Sequence, residues 1–282
     1  MVKNRKSSGA SRVCWIIAWI FAVIWLIIAI YPFIFMVLNS FKGQFEILKN
    51  GVFSWPETFY LDNYVTVLTN GIGRYFINSV IVCAVSLVII LLFSAFAAYP
   101  LSRFKFKLNK PILTLIIACM SIPIHITLIP IFKMTTSTAL YDTIWGLIGP
   151  NVAFGLPVSI FILIGFMQGI PRELEEAAEM DGCSRYRTFF NVIFPLTKPG
   201  LATLAIYNGV DIWNSFIFSY TLTQSKGSRT LPLAIWDFQG MHSMNAPMIM
   251  AVLTITLIPM LVLFVAFQEK LIEGMTVGAV KG

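Results

Sequence analysis

Carboxylate side chains are concentrated in one short stretch of this chain, PRELEEAAEMDG, which runs from Pro171 to Gly182. A proline suits the first position of a helix, and glutamates in the first turns complement the positive end of the helix dipole. Ala177 and Ala178 lie on one helical stripe, where small side chains let another surface approach closely. Gly182 permits a sharp change of direction. The arrangement predicts docking against another protein.

A second helical piece is expected directly after this stretch, ending in FFNVIFPLTKPG. Its apolar side chains recur at i, i+3, i+4 and i+7, so one face should be buried. These side chains are Tyr186, Phe189, Phe190 and Ile193. Pro195 and Pro199 should stop the helix and start the next one. A hairpin lying on lipid is the alternative, but acidic residues beside anionic headgroups argue against it, so a protein socket is favoured.

Another polar group lies in the hydrophobic run Pro199–Ser225, whose only charged residue is Asp211. At about 100° per residue, five side chains share a sector of about 120° of this helix. They are Tyr207, Asn208, Asp211, Asn214 and Ser215. A charge near the bilayer centre costs about 2.5–3.5 kcal/mol or more and normally faces a bundle interior or a wet cavity. Two roles stay open: contact with a solute in a wet path, or hydrogen bonds between helices at a subunit interface.

Residue patterns for other chemistry are absent from the sequence. Cys14, Cys83, Cys119 and Cys183 form no CxxC pair, so neither a disulfide framework nor a zinc site is predicted. No HExxH, GxSxG or clustered His–Asp–Glu set indicates an enzyme. The phosphate loop of ATPases, GxxxxGK followed by Ser or Thr, is also missing. We therefore expect a non-catalytic chain.

The elements that must position these residues are long hydrophobic runs. Of the 282 residues, 57% are hydrophobic and only 12% are charged, whereas about a quarter of a soluble domain is charged. Each run exceeds the roughly 20 residues that a helix needs to cross a hydrocarbon core. Six spans are predicted: Val13–Leu38, Tyr75–Ser102, Pro111–Phe132, Thr143–Gln168, Pro199–Ser225 and Ser243–Gln268. The strict alternation of barrel strands is missing, so the predicted fold is an all-α membrane bundle rather than a barrel or a soluble core.

Lysine and arginine set the predicted orientation of the bundle. With the N-terminus inside, the inner segments hold 14 of the 20 Lys and Arg residues and the outer segments hold 6, which places both termini in the cytoplasm. The inner linker SRFKFKLNK is expected to be a basic anchor at the headgroups. The outer loop Asn39–Gly73, with Trp55 and Tyr60, is expected to touch something outside. The first run is too long for a cleaved signal peptide, and no small-residue cleavage site follows it.

The stretch EAAEMDGCSRYRTFFNVIFP resembles the cytoplasmic loop of permease subunits in ABC importers. That pattern is EAA, three residues, Gly, nine residues, Ile, any residue and Leu-Pro. The matching positions are Glu176, Ala177, Ala178, Gly182 and Pro195, whereas Val192 and Phe194 replace the Ile and the Leu with other apolar side chains. Further stretches are similar to the second, smaller permease subunit of maltose-type carbohydrate importers: FINSVIV, AFAAYPLSRFKF, IPIHITLIPIFKM, IWNSF and QEKLIEGMTVGAVKG.

This resemblance implies a six-helix importer bundle of the MetI-like class. Residues 1–12 would form a cytoplasmic tail, residues 13–268 the membrane domain and residues 269–282 a second cytoplasmic tail. The loop 169–198 would carry a coupling helix that is seated in a cleft of an ATP-hydrolysing subunit. The residues that the resemblance and the helical pattern together assign to coupling are Glu175, Glu176, Ala177, Ala178, Asp181, Gly182 and Pro195.

The resemblance also implies partners and a mechanism of alternating access. The partners are a second permease subunit in a heterodimer, a cytoplasmic ABC ATPase dimer and a lipid-anchored or periplasmic solute-binding protein. ATP and Mg would be bound by the ATPase subunits, and this chain would bind no cofactor of its own. The implied substrate is a sugar. In the resembled maltose system the other permease subunit makes most of the sugar contacts, so both roles of the polar group around Asp211 stay open. Membrane lipid would surround the bundle, and nothing indicates a nucleic-acid surface.

Two alternatives to a sugar importer stay open. One is an ABC permease for another solute, such as a polyol or glycerol phosphate. The other is a secondary transporter driven by an ion gradient, although such proteins usually show more intramembrane ionisable residues and internal repeats than this sequence does.

Overall fold

The computed structural model describes residues 9–238 and 245–279, and no strand occurs in those ranges. The helices are α1 (Gly9–Ser40), α2 (Gln44–Asn50), α3 (Asp62–Val67), α4 (Gly73–Arg103), α5 (Asn109–Met120), α6 (Ile124–Ser137), α7 (Trp145–Gln168), α8 (Glu173–Met180), α9 (Arg185–Thr188), α10 (Phe194–Leu196), α11 (Lys198–Trp213), α12 (Phe216–Leu222) and α13 (Ala246–Ala279). Two π-helical turns, Leu68–Ile72 and Phe189–Ile193, and one 3-10 helix, Leu231–Phe238, complete the backbone. The predicted all-α fold is confirmed.

The chain divides into two compact units. The N-terminal unit comprises Met1–Asn70 with Phe238–Ile255, and the main unit comprises Gly71–Asp237 with Thr256–Gly282. In the N-terminal unit, every side chain of α1 from Val13 to Ile34 is exposed. Such a large apolar surface indicates contact with lipid or another protein, because its exposure to water is unfavourable.

The loop after α1 is built around a buried lysine. The Nζ atom of Lys42 donates to the carbonyl of Val52 at 3.1 Å and to Ser54 Oγ at 3.2 Å, and burial lowers the pKa of this lysine. Trp55 and Tyr60 are exposed on the same loop. That the loop touches something outside stays a prediction.

The main unit is organised by the packing of α4 against α7. Their C-terminal halves meet the π-turn Phe189–Ile193 and α11 in one apolar core. Their N-terminal halves meet α11 and α12 in a second core, which is the outer core in the predicted orientation. Close packing depends on Gly155, where an added Cβ would lie 2.6 Å from Ile90 Cδ1 and 2.7 Å from Asn208 Oδ1. Small residues at helix contacts are typical of membrane bundles.

Within residues 9–238 and 245–279, three segments are long and apolar enough to cross a membrane, namely Val13–Ser40, Asp62–Arg103 and Trp145–Gln168. Two predicted spans are not single straight helices. The run Pro111–Phe132 is divided between α5 and α6, which meet at 97°, because Pro123 cannot donate a helical hydrogen bond. The run Pro199–Ser225 is divided where α11 ends at Trp213, and α11 is itself bent by 66° from the segment Arg185–Leu196. The count of six spans stays a prediction.

The last helix, α13, continues to Ala279, so the backbone of the predicted C-terminal tail is helical up to that residue. The first two residues of the predicted sixth span, 243–244, lie outside the described residues, as do residues 1–8 of the predicted N-terminal tail and residues 280–282.

Candidate functional site

The acidic stretch and the helical piece after it form a hairpin, which we call the acidic hairpin (residues 171–196). Its first arm is α8, with Glu173, Glu175 and Glu176 in the first turn as predicted. Gly182 turns the chain with a φ of +80°, a conformation that L side chains rarely adopt. The second arm begins at Ser184, whose side chain accepts a hydrogen bond from the backbone N–H of Arg187.

The acidic hairpin is tied to the main unit by a buried ion pair. Arg103 Nε lies 2.5 Å from Glu175 Oε1, and the two side chains are only 4% and 15% exposed; the contact is ionic, without the angle of a hydrogen bond. Arg103 Nη2 also donates to the carbonyl of Ile170 at 2.9 Å. Burial raises the pKa of the Glu175 carboxyl, and the Arg103 guanidinium limits that rise. One arginine therefore joins α8 to the ends of both α4 and α7.

Sequence reasoning did not identify this role of Arg103. The linker SRFKFKLNK was expected to be a basic anchor at the headgroups, but its arginine is buried against Glu175 while Lys105 and Lys107 are exposed. Four basic residues within eight positions gave no signal for choosing among them. Only the bend between α7 and α8 brings Arg103 and the acidic hairpin together.

Aromatic side chains form the back of the acidic hairpin. The ring of Phe189 contacts those of Tyr99, Phe96 and Phe194 at centroid distances of 4.9, 5.7 and 5.8 Å. Ile193 is buried beside it, whereas Tyr186 and Phe190 are exposed. The four apolar side chains that were expected to share a buried face are therefore of two kinds in the chain on its own. Phe189 and Ile193 pack inside it, whereas Tyr186 and Phe190 are left for a partner, so that burial of the whole face in a protein socket stays a prediction.

The front of the acidic hairpin is open to solvent. Met180 and Tyr186 are 89% and 82% exposed, and Leu174 is also exposed. Of the predicted coupling residues, the exposed ones are Glu176, Ala177, Asp181 and Gly182, the half-buried ones are Glu175 and Pro195, and the buried one is Ala178. Exposed apolar side chains rimmed by charges are typical of a protein interaction surface.

The polar group on α11 is divided by the structure. Asn208 is buried and its Nδ2 donates to Ser159 Oγ and to the carbonyl of Leu204, both at 2.9 Å. This hydrogen bond joins α11 to α7 within one chain; a bond between helices at a subunit interface, the second role considered for the group, stays a prediction. Tyr207, Asp211 and Asn214 are exposed instead. The break at Asn214–Ser215 separates the group further, because the five residues do not lie on one continuous helix.

Ser215 lines a cavity of about 10 Å³ at this break, together with polar side chains of α4, α7, α12 and the loop before the 3-10 helix. They are Ser79, Asn151, Ser219 and Thr230. A volume of this size holds about one water molecule.

Two carboxylates that the sequence did not single out organise the loops at the other end of α11. Asp237, with its side chain 4% exposed, accepts from Tyr75 Oη at 2.6 Å and from Arg229 Nη1 at 2.9 Å. Asp142 accepts from the backbone N–H groups of Gln224 and Ser225 at 2.8 and 2.9 Å. Although partial burial raises the pKa of Asp142, these bonds and that from Ser228 lower it to about 2.

In the part of the chain that the structure describes, no group of three or more His, Cys, Asp or Glu side chains could hold a metal ion.

Comparison with known proteins assigns this arrangement to a family. Residues 90–277, from the middle of α4 into α13, match the profile of the binding-protein-dependent transport system inner membrane component. The chain belongs to this family. Its members are permease subunits of ABC transporters, and the resemblance seen in the EAA stretch is thereby confirmed. This inner membrane component is embedded in the membrane through several apolar helices.

Relatives match almost the whole inner membrane component. ORF2 of Caldicellulosiruptor sp. (strain Rt8B.4), named only as an ABC transporter permease protein, is 50% identical over 264 residues, which are 94% of this chain and 96% of that protein. The arabinooligosaccharides transport system permease protein AraQ of Halalkalibacterium halodurans is 33% identical over 95% of this chain and 96% of its own length. The melibiose/raffinose/stachyose import permease protein MelC of Bacillus subtilis is 34% identical over 89% of this chain and 91% of its own.

Solved structures share the fold. A chain from the crystal structure of a bacterial ABC transporter involved in the import of alginate superposes with a TM-score of 0.81 at 20% identity, covering 93% of this chain and 98% of that one. A chain of the MetNI methionine ABC transporter gives 0.59 at 17% identity, covering 75% and 97%. The predicted MetI-like permease fold is confirmed.

Proposed function

We propose that this chain is the smaller permease subunit of an ATP-driven importer that moves a sugar, with an oligosaccharide as the preferred class. The observation that carries the proposal is the exposed front of the acidic hairpin, fixed to α4 by the Arg103–Glu175 pair in a chain of the ABC permease family. An importer subunit of this kind needs one surface that receives force and one rigid connection that passes it to the membrane helices.

The contacts of the acidic hairpin favour this transmission. The exposed side chains of Met180 and Tyr186 offer an apolar contact to a cytoplasmic partner, and Glu176 and Asp181 surround it with negative charge. Behind them, Phe189 and Ile193 are packed into the core formed by α4, α7 and α11. A displacement of the hairpin would move these helices with it, because close-packed cores do not deform continuously.

The class of substrate is inferred from the relatives. AraQ and MelC are named for arabinooligosaccharides and for melibiose, raffinose and stachyose, and NgcG of Streptomyces coelicolor, 32% identical over 91% of this chain, is named for diacetylchitobiose. These solutes share several linked, hydroxyl-rich rings. Tyr207 and Asp211 are exposed on α11, and Asn214 is exposed directly after it; they supply hydroxyl, carboxylate and amide groups of the kind that bind such hydroxyls.

The remaining subunits follow from what this chain lacks. Its sequence has no phosphate loop, so ATP and Mg would be bound and ATP hydrolysed by a cytoplasmic ABC ATPase dimer, while this chain is non-catalytic. A second permease subunit would complete the translocation path, and an external solute-binding protein would deliver the sugar. Both termini would lie in the cytoplasm, as the distribution of Lys and Arg predicts.

The proposed cycle is alternating access. ATP binding closes the ATPase dimer, and the acidic hairpin moves with the ATPase subunit that holds it. The Arg103–Glu175 pair and the aromatic back of the hairpin pass this movement to α4 and α7. The path then opens on the outer side and receives the sugar, and ATP hydrolysis returns it to the inward-facing state.

The test is uptake by the complex of this chain, its ATPase and its second permease in proteoliposomes. Radiolabelled melibiose, raffinose, an arabinooligosaccharide, glycerol 3-phosphate and a polyol would be offered with and without the solute-binding protein and internal ATP. We expect uptake of an oligosaccharide that requires both. Uptake that proceeds without ATP and is abolished by an ionophore would instead establish a secondary transporter, and uptake of glycerol phosphate or the polyol alone would replace the sugar.

A further inference from the structure

Three aromatic rings in the main unit lie nearly parallel to one another in an offset stack. Phe216 and Tyr220 lie one helical turn apart on α12, with ring centroids 5.7 Å apart and planes inclined by 9°. Trp236, on the 3-10 helix Leu231–Phe238, continues the stack at 5.3 Å and 23° from Tyr220. The other aromatic pairs in the described residues are tilted or edge-on. We call these three rings the aromatic staircase.

The rings leave parts of their faces free. Carbon atoms in contact are about 3.5–4 Å apart, so centroid distances of 5.3 and 5.7 Å require each ring to be displaced sideways by about 4 Å from the next. Tyr220 is 51% exposed and Trp236 is 40% exposed. The staircase therefore presents successive apolar steps to its surroundings rather than a closed stack.

The two elements that carry the staircase are fixed by packing and hydrogen bonds. Phe218 and Leu222, on the opposite side of α12, are buried in the outer core. Asp237, the residue after Trp236, is held by Tyr75 and Arg229. The backbone N–H of Leu231, at the start of the 3-10 helix, donates to Ser79 Oγ at 2.8 Å. Rings fixed in this way lose little conformational entropy when a ligand binds.

Polar groups precede the staircase along the chain. Asn214 is exposed two residues before Phe216, and Asp211 is exposed three residues earlier at the end of α11. A pyranose ring has a flat face of C–H groups and a rim of hydroxyls, so it is recognised by an aromatic face together with amide or carboxylate groups. Contact with lipid would account for the exposed aromatic side chains but not for the exposed amide and carboxylate groups.

We propose that Phe216, Tyr220 and Trp236 form a binding site for the apolar faces of successive sugar rings of an oligosaccharide, with Asn214 and Asp211 bonding to its hydroxyls. This site rests on the proposed sugar import, and by the predicted orientation it lies at the outer end of α11. The 16 residues of α11 put about 24 Å between it and the acidic hairpin. A change in the staircase can therefore affect sugar passage without touching the coupling surface.

The first test compares two substitutions at each exposed step, Trp236→Phe with Trp236→Leu, and Tyr220→Phe with Tyr220→Leu. Phe keeps a ring face and Leu keeps only apolar bulk. The readout is oligosaccharide imported per ATP hydrolysed by the reconstituted complex. We expect the Leu variants to lose about tenfold, equivalent to about 1.4 kcal/mol, while the Phe variants keep most of the wild-type ratio. Equal ratios for Phe and Leu in a complex that imports sugar would overturn the staircase and leave the proposed function intact.

The second test measures the wild-type sequence and uses a variant only to assign a signal. The complex would be labelled with 5-fluorotryptophan, and the ¹⁹F signal of Trp236 would be assigned by its loss in Trp236→Phe. We expect this signal to shift on addition of the transported oligosaccharide under conditions that hold the path open outward. A signal that responds only to brominated lipid, or that shifts only when the second permease subunit is added, would overturn the proposal in favour of a lipid or subunit contact. If wild-type complex imports no sugar at all, the proposed function fails instead.

Discussion

Replacing Arg103 by methionine should uncouple the acidic hairpin from the membrane helices. The substitution keeps an apolar stem but removes the guanidinium that contacts Glu175 at 2.5 Å and donates to the carbonyl of Ile170. Leaving one member of a buried ion pair alone costs about 3–5 kcal/mol. Because Glu175 is 15% exposed and its pKa is already raised by burial, it can take up a proton. We therefore expect the low end of that range, about 3 kcal/mol.

The matched control is Lys107→Met, which removes one positive charge from the same linker at an exposed position. A substitution of this kind should change stability by no more than about 0.5 kcal/mol. Stability would be followed by titrating the purified complex with a denaturing detergent, and coupling by the ratio of sugar imported to ATP hydrolysed. We expect Arg103→Met to lower both quantities and Lys107→Met to leave them unchanged.

The double variant Arg103→Met with Glu175→Met distinguishes the cost of an unpaired buried charge from the loss of the contact between α8 and α4. Removing both charges should restore most of the lost stability, because no unpaired charge remains in the interior. The import-to-hydrolysis ratio should stay low, since the contact between α8 and the end of α4 is still missing. If Arg103→Met behaves like Lys107→Met in both assays, the ion pair does not fix the hairpin and the reasoning is refuted.

Three further predictions concern packing, pH and the polar group on α11. Gly155→Ala should cost about 1–3 kcal/mol of stability through overpacking. The control Gly165→Ala on the same helix, where an added Cβ meets nothing within 4 Å, should not destabilise the protein. Equal melting temperatures for the two variants would refute this packing. The Asp142 carboxylate, with its pKa lowered to about 2 from 3.8, should stabilise the folded state above about pH 4 and lose that contribution as the pH falls toward 2. Asp142→Asn should remove about 1 kcal/mol at neutral pH, after allowance for solvent screening, and flatten the acid limb of a stability–pH curve; an unchanged curve would contradict the assignment. Asp211→Ala should reduce sugar uptake while the complex assembles normally, whereas Asn208→Ala should mainly lower thermal stability. Unchanged uptake kinetics in Asp211→Ala would show that Asp211 is not part of the sugar path.

The features that the sequence predicted well are those set by local composition. The hydrophobic runs fix an all-α membrane chain because lipid cannot satisfy free backbone groups. The first turn of α8 and the turn at Gly182 follow from helix-dipole and backbone rules that act within a few residues. The EAA stretch led to the family that the comparisons confirm.

The features that it missed depend on contacts between distant parts of the chain. Asn208 was grouped with Asp211 by helical angle, but only the packing of α7 against α11 decides that it bonds to Ser159. Phe189 and Phe190 are adjacent and of the same type, and only the packing of Phe189 against Tyr99 decides which of the two rings is buried. Arg103 contacts Glu175, which is 72 positions later in the sequence, and a local sequence pattern cannot predict a contact between residues so far apart.

The central claim is that the front of the acidic hairpin is held by the ATPase subunit. It is tested most directly by placing the photoreactive residue benzoylphenylalanine at Met180, which is 89% exposed, and irradiating the assembled complex in membranes. The same residue at Lys226, an exposed position beyond the other end of α11, is the control. We predict a cross-link from position 180 to the ATPase subunit and none from position 226. Cross-links from position 180 to lipid alone, in a complex that still transports, would contradict the account.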